Sequence, residues 1–420
     1  LVPRFGVWEL RAKGWRVRLI DDFKFNGANA AATVYETSFV DTVDDITAAI
    51  RALHKGLRTR TKHHTPKKPY VRLGIDDFVG AFKTIAPSES QRWLSWVLVW
   101  DPEARRYRAA ELYGCPFGAI GSVLGWHRVG LFWRTVLRRL FNIAMLLYVD
   151  DAQLVDAAQF GKQAQEIFLR LTQITGWKLD DGKRQDMDET AIALGARAAI
   201  RPECLRWTLS EEKSERWLQE LNETLEAGCW TGEEAGKWAG RLQWGTSLVW
   251  GRAGRAYLRP LYWHRESGAA HGSLTRRHRA RLRWWQRLLR ENQSRDIPWS
   301  DSEESGAADL LVFTDAEGDG GAGAIVYPTR PAPGEPRAYF TEGHVPPKWK
   351  KNLRHRETQI NIFEQAAVLL ALGTFPDLLE GKRVVFFIDS MSALGTIVKG
   401  HSNRDDLNLY AGTTWQILAR

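Results

Sequence analysis

Residues 141–155 read FNIAMLLYVDDAQLV. Two apolar runs flank Asp150-Asp151, and this spacing predicts a β-hairpin with both acids at its tip. Hairpins use Asp in turns, so a plain polar turn is one reading. The other is chemical. Tyr148-Val149 keep strand character up to the acids, and a buried carboxylate pair costs free energy unless positive charge neutralises it. A second strand-like run, Val71-Arg72-Leu73-Gly74-Ile75, delivers another pair, Asp76-Asp77. One strand-end carboxylate and one hairpin carboxylate could clamp two divalent ions roughly 3.5–4 Å apart. Carboxylate and phosphate oxygens are the hard ligands that Mg²⁺ requires.

Working outward, Val17 to Ile20 reads as a strand ending in Asp21-Asp22, and Phe160 to Ile174 as a helix with Gly176 just past its end. Residues 51–68 carry seven Lys/Arg and three His without an acid, either a solvated loop or a surface facing a template. Residues 210–227 and 232–243 have helical spacing. The stretch 276–290 holds seven arginines, no acid, and Trp284-Trp285. It is a solvated helical face or a helix along a phosphate backbone, with Arg279 and Arg283 as candidate contacts. A polar segment from Glu291 to Ala308 is a linker candidate. An α/β pattern follows: strands at 310–313 and 324–327, an apolar helix at 360–373, a strand at 384–388 and a short helix at 392–399. Asp315 ends the first strand, Glu364 lies on the apolar helix and Asp389 ends the last strand. Three acids so placed can converge at one sheet edge, where two Mg²⁺ ions would support water attack on a phosphodiester.

Composition bounds these readings. At 420 residues the chain predicts two to four domains. Its net charge of +9, from 59 Lys+Arg against 50 Asp+Glu, permits a nucleic-acid partner. An apolar fraction of 44% excludes a disordered chain, and three cysteines exclude a disulfide scaffold. No run is long and apolar enough for a membrane span, so no membrane partner is expected. The chain starts at Leu1 without an apolar leader and reads as an internal fragment. Its 20 tryptophans have no explanation at this level.

The motifs, taken in order, resemble a retroelement reverse transcriptase joined to a ribonuclease H domain, as in a retrotransposon polyprotein fragment. Tyr148-Val149-Asp150-Asp151 matches YxDD. Asp77-Phe78-Val79-Gly80-Ala81-Phe82 matches the DxxxA(Y/F) of the first palm strand. Pro116-Phe117-Gly118 matches the PFG or PQG segment, and Gly176-Trp177-Lys178-Leu179 with Lys183 matches the stretch ending in lysine. Leu194-Gly195 matches the turn gripping the primer, and Arg18 to Lys24 with Asn29 matches the fingers strand. Any one match is weak; several in order are specific, and they cover almost the whole chain. Gly114-Cys115 before the motif proline departs from the usual apolar lead-in.

The resemblance implies an α+β right-hand polymerase (fingers, palm and YxDD hairpin), a helical thumb or connection, and an α/β ribonuclease H-like domain. The expected boundaries are 1–200, N-terminally incomplete; 201–300; and 301–420, C-terminally incomplete. Asp77, Asp150 and Asp151 would be catalytic metal ligands, Asp76 and Asp21-Asp22 structural acids. Arg18, Phe82, Phe117 and Gly118 would bind the nucleotide. Phe82 would favour dNTPs by leaving no room for a 2′-hydroxyl, and Lys183 would meet the leaving pyrophosphate. Lys13 is a candidate fingers lysine. Asp315, Glu364 and Asp389 match the first three nuclease carboxylates. Asp405 and Asp406 follow Asp389 too closely to be the fourth, which is expected beyond Arg420. The implied activity is RNA-directed DNA polymerisation on an RNA or DNA template from a DNA or RNA primer, with nuclease action on an RNA–DNA hybrid. Each site would use two Mg²⁺ ions, with Mn²⁺ as a substitute. Alternatives left open are a degenerate, inactive copy that only binds nucleic acid, a binding module, and a DNA-templated polymerase.

Overall fold

The computed structural model describes residues 1–11, 14–33, 35–60, 69–266, 272–299, 308–351, 353–354 and 359–419. Lys13, the basic residues from 61 to 68 and residues 300–307 of the expected linker fall outside them, while the linker's first part is structured, with a strand at Arg295–Pro298. The chain forms two compact units, Leu1–Leu205 and Arg206–Arg420.

The first unit holds two four-stranded sheets. One is built from β1 (Val2–Arg11), β2 (Gly14–Asp21), β4 (Trp96–Asp101) and β5 (Arg106–Glu111), in the order β2-β1-β4-β5. Arg4 holds Asp21 at 2.7 Å and Asp22 caps the following turn, so both acids serve the fold. The other sheet contains β3 (Val71–Asp77), β6 (Ala144–Tyr148), β7 (Asp151–Ala157) and β8 (Gln185–Asp188), in the order β6-β7-β3-β8. One face packs on α2 (Ile120–Phe141) and α3 (Gly161–Ile174), where Trp126, Trp133, Leu137 and Phe168 meet Met145, Leu147 and Leu154. The stretch 141–155 is a hairpin, but it starts later than its apolar run suggests. Phe141 still belongs to α2, which ends at Asn142 in the left-handed conformation, φ 56°.

Strand β6 is a sheet edge with unpaired backbone groups facing outward. The residues before α1 (Val43–Arg60) cover it. Asp41 N–H donates to the Leu147 carbonyl at 3.0 Å, and Leu147 N–H donates to Asp41 Oδ2 at 2.7 Å. Arg134 on α2 donates to both oxygens of Asp41, at 3.2 and 3.0 Å. A hairpin of β9 (Thr190–Ala193) and β10 (Ala196–Ile200) turns at Leu194-Gly195, both with positive φ, as a two-residue type I′ loop requires.

The second unit combines helices α4 (Glu211–Ala227), α5 (Gly232–Leu248), α6 (Arg255–Glu266) and α7 (Arg276–Glu291) with an α/β part. Helix α5 extends past the expected 243 and starts with a Thr231/Glu234 capping box. The α/β part has β11 (Leu310–Ala316), β12 (Gly321–Pro328), β13 (Tyr339–His344) and β14 (Val384–Ile388), in the order β13-β12-β11-β14. Strands β11 and β14 are parallel, joined through α8 (Ile360–Thr374), whose Ala371 packs on Leu310, Val312, Ala324 and Val326. Helices α9 (Met391–Lys399) and α10 (Asp405–Leu418) follow.

The Asp41 clamp yields a direct expectation. Asp41→Ala strips partners from the buried Leu147 N–H and from Arg134, and should lower stability by about 1–3 kcal/mol. Urea unfolding measures it, and a loss under roughly 0.5 kcal/mol would show that the clamp is inert.

Candidate active site

Asp77 ends β3 and pairs across the sheet with Asp151, the first residue of β7. Asp150 occupies the loop between them and β6. Side chains alternate along a strand, so Asp77 and Asp151 share a face while Asp76 points the other way. Asp77, Asp150 and Asp151 each offer an oxygen within 4.8 Å of the others. Backbone bonds fix the cluster: Phe78 N–H to the Asp150 carbonyl at 3.1 Å, and Asp180 N–H to the Asp77 carbonyl at 2.8 Å. Lys183 Nζ donates to Asp77 Oδ2 at 2.6 Å. Burial, the bond with Asp77 and the neighbouring charges push the Asp151 carboxyl up to about 7. Burial and Asp77 also raise Asp150, while Lys183 and Arg18 pull it down. Three hard-oxygen donors facing one ammonium leave excess negative charge, and that set fits a divalent cation.

Asp76 is structural. It is 1% exposed and accepts from Gln165 Nε2 at 2.9 Å, while Gln165 Oε1 receives Met187 N–H from β8. Lys178 lies in the expected segment, and its carbonyl accepts from Val79 N–H at 2.9 Å. A cavity of about 330 Å³ lies beside the cluster, lined among others by Asp77, Asp151, Lys183, Leu194 and Gly195. Gln153 also borders it, fully buried and with both amide atoms unpartnered. The sequence reading passed over Gln153, although strand alternation puts it on the Asp151 face.

Arg18, Phe82, Phe117 and Gly118 also come together. The Arg18 guanidinium lies 5.9 Å from the Phe117 ring centre, and the Phe117 and Phe82 rings are 5.6 Å apart. Gly118 has φ +110°, and a Cβ there would meet the Asp21 carbonyl at 2.3 Å, so only glycine fits. Asn29 fastens this loop, donating to the Gly118 carbonyl at 2.9 Å and accepting from Ile120 N–H at 3.1 Å. Cys115 is half-buried and its thiol is shifted up by burial, as for a packing residue.

In the second unit Asp315 on β11, Glu364 on α8 and Asp389 just after β14 offer oxygens within 4.8 Å of one another. Glu364 is 2% exposed, and its Oε2 is buried without a hydrogen-bond partner. Burial, then Asp389 and Asp315, push its carboxyl up to about 7. An orphaned carboxylate oxygen facing two further acids fits a cation site. Asp405 and Asp406 are engaged elsewhere: Arg277 and Arg354 hold Asp405, and Arg354 N–H donates to Asp406.

In the basic helix α7 several arginines have partners within the protein. Arg279, a candidate phosphate contact, donates to the carbonyl of Leu225 at 3.0 Å, in the last turn of α4 where carbonyls need donors, and to that of Leu274 at 3.3 Å. Arg277 pairs with Asp405, and Arg281 lies over the Tyr257 ring at 4.5 Å. Arg283 is exposed, and at 100° per residue it shares a face with exposed Arg276, Arg287 and Arg290.

The fold is similar to that of a foamy viral protease-reverse transcriptase solved in complex with an RNA/DNA hybrid. The TM-score is 0.51 at 14% identity, over 99% of this chain and 48% of that one. A second structure of the foamy viral protease-reverse transcriptase, a form labelled dRH in complex with double-stranded DNA, gives the same TM-score and identity over 99% of this chain and 62% of that one. The chain thus spans about half to three-fifths of the length of these proteins. No protein-family model and no curated protein matches the sequence. The likeness establishes the general reverse transcriptase–ribonuclease H fold, with two carboxylate clusters able to hold divalent ions.

Two expectations follow. Folded Glu364 keeps its proton to about 7, whereas an unfolded glutamate releases it near about 4.3. Between those values the folded state binds more protons, so stability should fall as pH rises. In EDTA, wild type should lose more stability from pH 5 to 8 than Glu364→Gln, and Mg²⁺ at pH 8 should restore more to wild type than to the variant, which keeps only the first triad intact; equal losses would contradict this. For α7, Arg283→Ala and Arg287→Ala should each flatten the log–log salt dependence of RNA–DNA hybrid binding by about one unit. Arg279→Ala should lower stability and leave the slope unchanged. An unaltered slope in the first two variants would return that face to plain solvation.

Proposed function

We propose that the chain is a retroelement RNA-directed DNA polymerase with an attached ribonuclease H-like nuclease. The observation that carries this reading is the pair of carboxylate triads, each assembled from separate elements and lying in one chain in the expected order. Asp77, Asp150 and Asp151 would hold divalent ions in the first unit; Asp315, Glu364 and Asp389 would hold them in the second. Bound Mg²⁺, or Mn²⁺ in its place, would activate the attacking hydroxyl or water and offset charge on the leaving group.

The chain's own groups do the rest. The Arg18 guanidinium, close enough to lower the Asp150 pKa, supplies positive charge and bidentate donors for a triphosphate. The Phe82 ring, packed against Phe117, would occupy the space a 2′-hydroxyl needs. Lys183 Nζ keeps its proton because the Asp77, Asp150 and Asp151 charges outweigh its partial burial, and it can offer that proton to departing pyrophosphate. Leu194-Gly195 forms the turn that would grip the primer. The nuclease would act on the RNA strand of a hybrid held mainly through phosphates and A-form shape, with the Arg283 face of α7 as one contact.

Primer extension on RNA and DNA templates tests this reading. Wild type should extend with dNTPs on both, Asp150→Asn should fall to background, and Phe82→Ala should raise the kcat/KM for ribonucleotides relative to deoxyribonucleotides. Hybrid binding without extension on either template would identify an inactive copy that only binds nucleic acid. An unchanged sugar ratio would remove Phe82 from its role.

A further inference from the structure

The loop that carries Asp150 has two residues, Val149 and Asp150, between the paired Tyr148 and Asp151. Val149 has φ +54°, and Asp150 is not among the residues with positive φ. A positive φ at the first loop position alone is the type II′ arrangement, where glycine normally sits. A β-branched residue is strained there and holds only if its surroundings impose the conformation.

One bond can impose it. The Trp126 indole Nε1–H donates to the Val149 carbonyl at 2.5 Å. Trp126 is 0% exposed on α2 and packs edge-on against Phe78, at 5.0 Å, and tilted against Trp177, at 5.5 Å, contacts that fix its ring. Phe78 follows Asp77, and its own N–H donates to the Asp150 carbonyl. The same tryptophan therefore braces the neighbours of both Asp77 and Asp150. Burial alone does not produce such a bond: Trp133, Trp230 and Trp285 are equally buried, and their indole N–H groups have no partner.

We propose that Trp126 is a positioning residue whose indole N–H holds the left-handed Val149 turn and so sets the Asp150 carboxylate against Asp77. The proposal rests on reading Asp77, Asp150 and Asp151 as a divalent-ion site. Without the bond, Val149 relaxes toward negative φ and the Asp150 carboxylate swings out of register. Glycine at 149 removes the strain and makes the bond dispensable.

The test is Mn²⁺ affinity by calorimetry on the full chain, in an Asp389→Asn background that disables the second triad, with thermal unfolding alongside. Trp126→Phe keeps an aromatic ring and removes the donor; it should weaken Mn²⁺ binding roughly three- to tenfold. Val149→Gly alone should bind like the parent, and adding it to Trp126→Phe should restore the affinity. A merely structural tryptophan would instead lower Tm with no rescue by glycine. If Trp126→Phe folds poorly, benzothienylalanine at 126 keeps the bicyclic ring and removes only the N–H, and the same loss is expected. Undiminished Mn²⁺ binding in the donor-free variants, or failure of the glycine rescue, overturns this proposal alone. Parent binding that Asp150→Asn does not reduce overturns the ion-site reading, and this proposal with it.

Discussion

Like charge crowded into partly buried space is the constraint on which both centres depend. Each unit brings three carboxylates within 4.8 Å. Crowding and burial lift Asp151 and Glu364 to about 7. A fold without use for such clusters would disperse them, since each costs stability at neutral pH. The protein instead builds them on its firmest parts. Asp77 and Asp151 sit opposite each other on central strands, Glu364 lies on a helix packed against a sheet, Asp315 lies near the end of β11 and Asp389 just after its parallel neighbour β14. The first cluster has Lys183 as a partial counter-charge, and the second leaves Glu364 Oε2 unpartnered.

Rigidity beneath the first cluster comes from aromatic rings, which partly accounts for the tryptophan content. Phe78, Trp126, Trp133, Phe168 and Trp177 meet mostly edge to face under the strand ends. Such rings bury large areas and lock one another's orientation. In the second unit Trp230 stacks on His264, Trp250 meets Trp285, and Lys213 lies 3.9 Å from the Trp244 ring centre. There tryptophan fills the gaps between helices whose other faces are strongly charged.

The acids were legible because their signals are local. Strand-like runs with acids at their ends marked the pairs Asp76-Asp77 and Asp150-Asp151, and the motif resemblance singled out Asp77. A lone glutamate in NIFEQAAVLLAL, between two strand-end aspartates, marked the second cluster. The hairpin boundary was less legible, since Phe141 is as apolar as the strand after it and only the Asn142 conformation ends the helix. What periodicity could not reveal was pairing across long stretches of sequence. Asp41 covers the edge at Leu147, 106 residues away; Gln165 fixes Asp76, 89 residues away; and Arg279 bonds Leu225, 54 residues away. Arg279 looks, in sequence, like any guanidinium facing phosphate, and its bond to the Leu225 carbonyl was not legible there.

Anomalous scattering from a crystal soaked in Mn²⁺ tests the central claim most directly, because it locates the ions instead of inferring them from activity. Peaks should lie between Asp77, Asp150 and Asp151 and beside Glu364, with Asp315 and Asp389 as neighbours. The first should vanish in Asp150→Asn while the second stays. A crystal with ordered carboxylates and no peak at either triad would contradict the claim that these acids are gathered to hold divalent ions.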